Sequence, residues 1–362
     1  MTGHLYRRNP DLLLEWDEGA GPVLVDCRRW RKFAAKPVLV GLLHHLDRPL
    51  TGEELHHRWP ESANAGETGA LLERLAAAGI VRRCEPDGKD AATASGGDGW
   101  TPYELAVHAQ AGKGPLPGAR RGSPPSARFS HPEATGVVAL PDGRDAPSRP
   151  LADVLAERRS VRAFAPSPVP LPLVGAFLDR TARVRGYLPP RACQQTQRAA
   201  PSGGGRHSLE VYLLAREVAG LTAGAYHYDP FGHTLHRLSS WTDELAALQR
   251  RTVVDAAAMT EAPPAGIYLA SCADRTTWKY EGMSLSLVYR DTGCLMQTMC
   301  LTATDLGLAS CLTGAMEAPV AAPFLERHRA RLIHVGSLAL GLPTDPPTAP
   351  GLVPLPQAGP PP

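Results

Sequence analysis

Residues 278–316 read WKYEGMSLSLVYRDTGCLMQTMCLTATDLGLASCLTGAM. The stretch opens with the adjacent pair Lys279 and Tyr280 and then follows a long helical pattern that ends at glycines. Apolar residues recur at helical spacing through its middle, which predicts a core-packed helix over 286–308. Taken alone, a lysine beside a tyrosine is more typical of a protein surface than of a catalytic site. A lysine acts as a base only when burial or a nearby cation lowers its pKa from about 10.4.

Two earlier stretches carry further chemistry, RRSVRAF at 158–164 and PSGGGRHSLEVYLL at 201–214. In the first, Arg158, Ser160 and Arg162 can converge on one phosphate, because guanidinium groups donate paired hydrogen bonds. The same charges are also typical of the solvated end of a helix. In the second, three glycines let the backbone approach a planar ligand closely. This stretch lacks the lysine of a P-loop and the spacing of a dinucleotide-binding loop, so neither of those sites is predicted.

Composition narrows the class of protein. The chain has 362 residues, of which 43% are hydrophobic, so we expect two domains with a sizeable core. The formal net charge of +2 predicts no nucleic-acid partner and no membrane surface. No apolar run approaches the roughly 18 residues that span a bilayer, and the N-terminus has no signal-peptide pattern, which predicts a cytoplasmic protein. The seven cysteines form no Cys-x-x-Cys pair, so we expect free thiols and no metal site.

The first 85 residues predict a small winged-helix-like domain. Short helices and strands alternate in this stretch, with helices expected at 37–46, 51–59 and 66–78 and strands at 12–16, 22–27 and 80–84. The third helix carries one basic side chain, Arg74, which argues against reading DNA in a major groove. Binding of an extended peptide at an exposed strand edge fits better. A purely structural accessory domain is the alternative.

The rest of the chain divides by composition. Residues 86–150 are rich in Pro, Gly, Ala and Ser and predict a linker with one short helix at 101–111. Residues 151–342 predict an α+β domain, in which helices flank a mostly antiparallel sheet. Its strands are expected at 208–217, 224–238 (a hairpin), 265–272 and 331–341. The proline-rich residues 343–362 predict a disordered tail.

In combination, these stretches make residues 151–342 resemble the flavin-dependent nitroreductase superfamily, and within it the SagB/ThcOx-type azoline dehydrogenases of ribosomal-peptide biosynthesis. The resemblance covers about half of the chain, and each motif falls in the family's order. It is carried by RRSVRAF at 158–164, PSGGGRHSLEVYL at 201–213, GAYHYDP at 224–230, KYEG at 279–282, YRDTGCLMQTM at 289–299 and DLGLASCLTG at 305–314. The first 85 residues resemble, more loosely, the precursor-peptide recognition domain of the same biosynthetic context.

The resemblance implies a nitroreductase-like fold with FMN bound between the two subunits of a homodimer. The matching motifs imply three sets of site residues: Arg158, Ser160 and Arg162 for the phosphate; Ser202, Gly203 and Gly204 along the isoalloxazine ring; Thr313 and Gly314 near the reactive flavin nitrogen. They imply Lys279 and Tyr280 as the catalytic pair. The chain departs from the family at Cys294 and Thr298, where many members have histidine and asparagine. It also lacks a basic residue after the last strand, which leads us to add Arg198 to the phosphate set.

The resemblance further implies oxidation of a thiazoline or oxazoline ring in a peptide to the aromatic azole. In that reaction Lys279 is the expected base and Tyr280 orients or relays the proton. The expected partners are an azoline-containing peptide and a cyclodehydratase complex. Three alternatives remain: a general NAD(P)H-dependent nitroreductase or quinone reductase, an oxidase of a carrier-bound non-ribosomal peptide, and a flavin-free scaffold protein.

Overall fold

A computed structural model of the chain describes residues 4–17, 19, 21–59, 64–85, 99–112, 122–143, 145–189 and 191–344. The chain divides into two compact units, Met1–Leu116 and Pro117–Pro362. In the ranges given, no helix combines the length and the apolar character needed to cross a bilayer.

The first unit contains helices and two small sheets. Its elements in chain order are β1 (Leu5–Arg8), β2 (Leu12–Asp17), β3 (Gly21–Asp26), β4 (Arg31–Ala34), α1 (Pro37–His45), α2 (Gly52–Arg58), α3 (Ala65–Ala78), β5 (Val81–Cys84) and α4 (Pro102–Ala111). Strand β1 pairs with β5, and β2, β3 and β4 form a separate three-stranded sheet. The three predicted helices and the strand that follows them are confirmed within one or two residues.

Local sequence explains these helices. Thr51 and Glu54 form the predicted capping box, in which each side chain bonds the other residue's backbone N–H at the start of α2. Helix α3 ends at Gly79, whose φ of 81° lies in the left-handed region that glycine adopts without strain. Leu55 and Leu72 are fully buried between α2 and α3. The role of this unit in peptide recognition stays a prediction.

The predicted linker at 86–150 needs correction at both ends. Helix α4 buries Leu105 and Ala106 against Cys27, so it belongs to the core of the first unit. Strand β6 (Gly136–Ala139) pairs with a strand of the second unit's main sheet. The physical reason in both cases is burial of apolar side chains, which the surrounding Pro and Gly residues obscured. Residues 86–98 and 113–121 lie outside the described residues.

The second unit has more elements. In chain order they are β6, α5 (Leu151–Glu157), β7 (Val169–Pro170), α6 (Leu171–Ala182), β8 (Gly186–Tyr187), β9 (Thr196–Gln197), β10 (Leu209–Ala215), β11 (Val218–Ala219), β12 (Gly224–Asp229), β13 (Thr234–Ser240), α7 (Asp243–Gln249), β14 (Ala265–Cys272), α8 (Asp274–Thr277), α9 (Ser284–Asp305), β15 (Ala309–Thr313) and β16 (Leu332–Gly341). Short 3₁₀ segments lie at Gly203–Gly205 and Pro323–His328.

The main sheet has seven strands in the order β15-β16-β14-β10-β12-β13-β6, and all neighbours are antiparallel. Strands β10 and β14 are buried along their whole length at its centre. Their alternate side chains face two cores, because successive residues of a strand point to opposite faces. Val211 and Leu213 pack with α6 and α9. Tyr212 and Leu214 pack instead with α7 and the 3₁₀ segment Pro323–His328. The predicted α+β fold, with helices flanking a mostly antiparallel sheet, is confirmed.

Two parts of this unit differ from the prediction. The predicted helix at 286–308 runs instead over Ser284–Asp305, and Gly307 with φ of 70° turns the chain. Residues Ala309–Thr313 then form the edge strand β15, which the sequence did not predict. Residue Pro343, predicted to begin the tail, forms a β-bridge with Phe164. Residues 345–362 lie outside the described residues.

Candidate functional site

The glycine-rich turn at 201–207, called the glycine turn below, faces the predicted catalytic pair. Gly204 and Gly205 have φ of 63° and 65°, in the left-handed region that side chains with a Cβ rarely adopt. A Cβ added at Gly204 would lie 2.5 Å from both Lys279 Nζ and Tyr280 Oη. The fold therefore brings the amine and the phenol together over the backbone of Gly204.

Lys279 and Tyr280 lie on a short loop between α8 and α9. Their backbone N–H groups donate to the carbonyl of Thr276 at 3.1 and 2.9 Å, which fixes the loop. Lys279 Nζ lies 5.1 Å from the centroid of the Tyr280 ring, and both side chains are half-buried. Tyr280 also lines a cavity of about 460 Å³, together with Ser123, Pro125 and Trp278. Tyr280 can thus reach a molecule that enters this cavity, whereas Lys279 is not one of its lining residues.

Asp291 on α9 holds the glycine turn from behind. The Ser202 hydroxyl donates to one Asp291 oxygen at 2.5 Å, and the Gly203 N–H donates to the other at 3.0 Å. The His207 N–H donates to the Ser202 hydroxyl at 2.9 Å. Burial raises the pKa of Asp291, which is 8% exposed. The Ser202 hydroxyl and the Gly203 N–H thus bond Asp291, and the predicted contacts of these two residues with the flavin ring stay a prediction.

Two buried arginines, which we call the arginine clasp, tie the glycine turn to the Lys279 loop. Arg206 Nε donates to the carbonyl of Arg275 at 3.0 Å, and Arg275 Nη1 donates to the carbonyl of His207 at 3.1 Å. Both arginines are 1% exposed. Each guanidinium thus bonds the backbone of the other segment, so the two segments are held in one arrangement.

Glu210 on β10 neutralises this clasp. Its Oε1 lies 2.5 Å from Arg275 Nη1, and its Oε2 lies 2.8 Å from His227 Nε2. Burial opposes ionisation, but the charge of Arg275 and the hydrogen bond from His227 hold the pKa of Glu210 at about 2. Sequence reasoning missed Asp291, Arg206, Arg275 and Glu210. Glu210 could have been found from the sequence, because it is a charged residue inside the otherwise apolar strand pattern SLEVYLL.

The arginine segment, residues 158–162, lies along the edge strand β15. The Val161 N–H donates to the carbonyl of Ser310 at 2.9 Å, and Arg162 Nε donates to the carbonyl of Ala257 at 3.0 Å. A cavity of about 360 Å³ is lined by Arg159, Ser160 and Arg162. Arg158 is not among its lining residues; its charge instead opposes the burial that raises the pKa of the Cys300 thiol. Arg159, which was not among the predicted site residues, lines this cavity, and the predicted phosphate contact of Arg158 stays a prediction.

Thr313 and Gly314 follow on the same edge, at the end of β15. The Thr313 hydroxyl donates to the carbonyl of Thr252 at 2.7 Å and is buried, whereas Gly314 is exposed. Ser310, which bonds the arginine segment, lies three residues before Thr313 on the strand. The structure therefore groups the predicted phosphate set with the predicted backbone contacts at 313–314.

The two groups of predicted residues lie at different ends of α9. Asp291 contacts the glycine turn, whereas Cys300 lies beside Arg158. Nine residues of helix separate them, or roughly 13 Å along the axis. The cavity beside Tyr280 and the cavity beside Arg162 share no lining residue.

Arg198 lies beside the glycine turn and does not line the cavity of the arginine segment. It lines a small cavity of about 20 Å³ with Ser202, His207 and Asp291, and its Nε has no hydrogen-bond partner within the described ranges. Burial lowers the pKa of Arg198 to about 10. Arg198 therefore lies on the glycine-turn side of α9, and its predicted contact with the phosphate stays a prediction.

Gly204→Ala tests the geometry of the turn. The added methyl group must displace the tips of Lys279 and Tyr280, and the left-handed φ costs roughly 1–2 kcal/mol for an L-residue. We expect the free energy of unfolding, measured by urea denaturation, to fall by about that amount. Gly41→Ala is the matched control, since it lies in helix α1 with open space around its Cβ. Equal stability of the two variants would contradict this account of Gly204.

Comparison with known proteins places this geometry in a family. A family model described as "Nitroreductase family" matches residues 155–337, which contain the glycine turn, the arginine segment, Lys279 and Gly314. The chain belongs to the nitroreductase family. Nitroreductases are oxidoreductases, so the matched domain is assigned to redox chemistry. The first unit lies outside the matched range.

Two relatives and one solved structure illustrate what this nitroreductase domain is similar to. "Putative nitroreductase MJ1384" of Methanocaldococcus jannaschii is 31% identical over 175 residues, covering 46% of this chain and 78% of the relative. The trifolitoxin-processing protein TfxB of Rhizobium leguminosarum bv. trifolii is 32% identical over 119 residues, covering 32% of this chain and 31% of TfxB. The Escherichia coli microcin synthetase McbBCD complex with truncated pro-MccB17 contains a chain that is 17% identical, with a TM-score of 0.40, covering 59% of this chain and 76% of that one.

Proposed function

We propose that this nitroreductase-family chain is an FMN-dependent dehydrogenase that oxidises thiazoline or oxazoline rings in a peptide to thiazoles or oxazoles. The observation that carries the proposal is the convergence of Lys279 Nζ and Tyr280 Oη on Gly204, beside a cavity of about 460 Å³. Removing a ring proton needs a positioned base, and this pair is positioned at a backbone that can approach a planar group.

The arginine segment fits the phosphate of FMN. Arg159, Ser160 and Arg162 place two guanidiniums and a hydroxyl on one cavity wall, and this donor set matches a phosphate dianion. Gly314, exposed at the end of β15 on the same edge, offers an unhindered backbone toward the rest of the cofactor. When bound, FMN supplies the two-electron acceptor for the hydride that leaves the azoline ring.

In this proposal, Lys279 and Tyr280 have different roles in removing the ring proton. The Lys279 amine takes the proton from the ring carbon next to the peptide carbonyl. The Tyr280 hydroxyl, held at the same glycine, orients that amine and can pass the proton to solvent. The arginine clasp and Asp291 keep both groups in place. In the balanced reaction the ring loses one proton and one hydride and becomes aromatic.

A homodimer completes the site in this proposal. Within one chain, about 13 Å of α9 separates the two groups of site residues, and we propose that a second copy brings the glycine turn of one subunit to the arginine segment of the other. Exposed apolar side chains on α5 and α9 supply a contact surface; they are Leu151, Leu155, Leu285 and Tyr289. Exposed apolar surface of this kind is typical of subunit interfaces.

The peptide substrate is supported by two observations. The likeness to TfxB, a protein named for trifolitoxin processing, extends over 119 residues of this chain. The unit at Met1–Leu116, outside the nitroreductase match, presents small sheets with strand edges at which an extended peptide could pair. We propose that it binds the leader of the substrate peptide and that the dimer works with a cyclodehydratase complex in the cytoplasm.

The test is the reaction itself on the purified full-length protein. We expect a yellow protein with a flavin absorbance band, and an azoline peptide that loses two hydrogen atoms by mass spectrometry. A calorimetric titration with the substrate's leader peptide should show binding. A colourless protein, or a flavoprotein that leaves the azoline peptide unchanged, would overturn the proposal. Rapid bleaching of the flavin by NAD(P)H without peptide oxidation would instead favour the general nitroreductase or quinone reductase.

A further inference from the structure

A cluster of metal-ligating side chains lies away from the glycine turn, on the opposite face of the sheet. His131 and Glu133 precede strand β6, and His328 ends the 3₁₀ segment Pro323–His328. Their ligand atoms all lie within 4.8 Å of one another. Glu133 Oε1 lies 2.7 Å from His131 Nδ1 and 3.0 Å from His328 Nε2. The sequence pattern predicted no metal site, because Glu133 and His328 are 195 positions apart.

We propose that His131, Glu133 and His328 bind a divalent transition-metal ion, of which zinc is the first candidate. Two imidazole nitrogens and one carboxylate form a donor set that zinc uses with water as a fourth ligand. Imidazole donors favour zinc and its neighbours in the first transition row over magnesium or calcium, which prefer oxygen ligands. The site is distinct from the flavin chemistry proposed above.

An unsatisfied carboxylate oxygen points to the missing ion. Glu133 Oε2 is enclosed and has no hydrogen-bond partner in the described part of the chain, while Oε1 lies near both imidazoles. A buried polar atom without a partner costs about 1–3 kcal/mol, so such atoms call for an unseen water or ion. A cation between the three side chains would ligate this carboxylate and remove the cost.

The surroundings orient the proposed ligands. His131 Nε2 lies 3.1 Å from the Tyr212 hydroxyl, an outer hydrogen bond that directs Nδ1 toward Glu133. The Phe129 ring packs at 5.1 Å from both imidazoles and shields them. The His131 side chain is fully buried, whereas the Glu133 and His328 side chains are 19% and 15% exposed. The exposed side leaves room for entry of the ion and for a water ligand.

The ion would stabilise the fold by cross-linking two segments of the chain. It joins the segment before the edge strand β6 to the segment before the inner strand β16, which are far apart in sequence. The His227 ring lies 4.7 Å from His131, and His227 bonds Glu210 of the arginine clasp network. Metal binding adds its free energy to folding, so the metal-loaded protein should be the more stable form.

Metal content of the full-length protein, freed of any affinity tag, tests the proposal. Elemental analysis after purification without chelator should find about one zinc per chain. After chelator treatment, added Zn²⁺ should raise the melting temperature and saturate at one equivalent, and Co²⁺ should give visible absorption bands. His328→Gln should weaken Zn²⁺ binding at least about 100-fold. His236→Gln, a half-buried histidine outside the cluster, should leave it unchanged.

Two results would overturn the metal site. The first is wild-type protein that contains no transition metal and whose melting temperature does not respond to Zn²⁺, Mn²⁺, Fe²⁺, Co²⁺ or Ni²⁺; the three side chains would then form a hydrogen-bonded triad. The second is Zn²⁺ binding that is equally tight in His328→Gln, which would place the ion elsewhere. Both readouts are independent of flavin content and of peptide oxidation, so they leave the proposed function untouched.

Discussion

Lys279→Met is expected to abolish azoline oxidation while the protein keeps its flavin. A positioned general base contributes about 10²–10⁴-fold to a rate, and methionine preserves the length of the side chain without its amine. Flavin should remain because Lys279 lies with the glycine turn, whereas the proposed phosphate donors lie on the β15 edge. The measurement is kcat for azoline oxidation together with the flavin-to-protein absorbance ratio.

A matched control and a mixing experiment sharpen this result. Lys36→Met, an exposed lysine of the first unit, should leave kcat unchanged. Unimpaired turnover by a flavin-loaded Lys279→Met protein would remove Lys279 from the mechanism.

Co-expressing Lys279→Met with the phosphate-site variant Arg162→Gln should restore about a quarter of wild-type activity, because half of the dimers then carry one intact composite site. No recovery in confirmed mixed dimers would contradict a site shared between subunits.

Glu210→Gln should destabilise the fold by about 3–5 kcal/mol, because it leaves the fully buried Arg275 without a counter-charge. The measurement is the free energy of unfolding from urea denaturation at neutral pH. Glu157→Gln is the matched control: it breaks the pair with Arg149, which solvent screens because both side chains are exposed, so the free energy of unfolding should change little. Equal losses in the two variants would show that the buried network is not held by charge.

The same carboxylate sets a pH dependence. The pKa of Glu210 is about 2 in the folded chain, below its usual value of 4.5, so its contribution is complete above about pH 5 and is lost as the pH falls toward 2. At pH 3 the wild-type protein should have lost about 2 kcal/mol through this group. Glu210→Gln lacks the group, so its stability should fall less between pH 5 and pH 3. Parallel curves for the two proteins would contradict this assignment.

Sequence patterns predicted the regular elements of the nitroreductase domain because burial leaves a local signature. The alternation in SLEVYLLARE and the apolar run AGIYLASC indicated the two central strands, and helical spacing indicated α9. Strand β15 was not predicted, because its five residues, ASCLT, show no alternation of apolar and polar side chains. Their extended form depends on pairing with β16. Strand β6 was not predicted for the same reason, since its partner strand β13 lies in a distant part of the sequence.

The site divides in a similar way. Gly204, Lys279 and Tyr280 could be named because their motifs are contiguous, and the structure brings them together. The groups that hold them could not be named, because each works through a partner 65 or more positions away: Ser202 with Asp291, Arg206 with Arg275, and Arg275 with Glu210. The neighbours of Arg198 could not be named either, because they are set by the path of α9, which no local pattern reports.

The arginine clasp also indicates where this protein can be re-engineered. Arg206, Glu210 and Arg275 each bond a buried backbone group or a buried charge, so substitutions at these positions should destabilise the fold. The walls of the cavity beside Tyr280 are less constrained at Ser123, Thr277 and Ser284, whose small side chains border it. Substitutions at these three positions should change which rings are accepted while the lysine and the tyrosine stay in place.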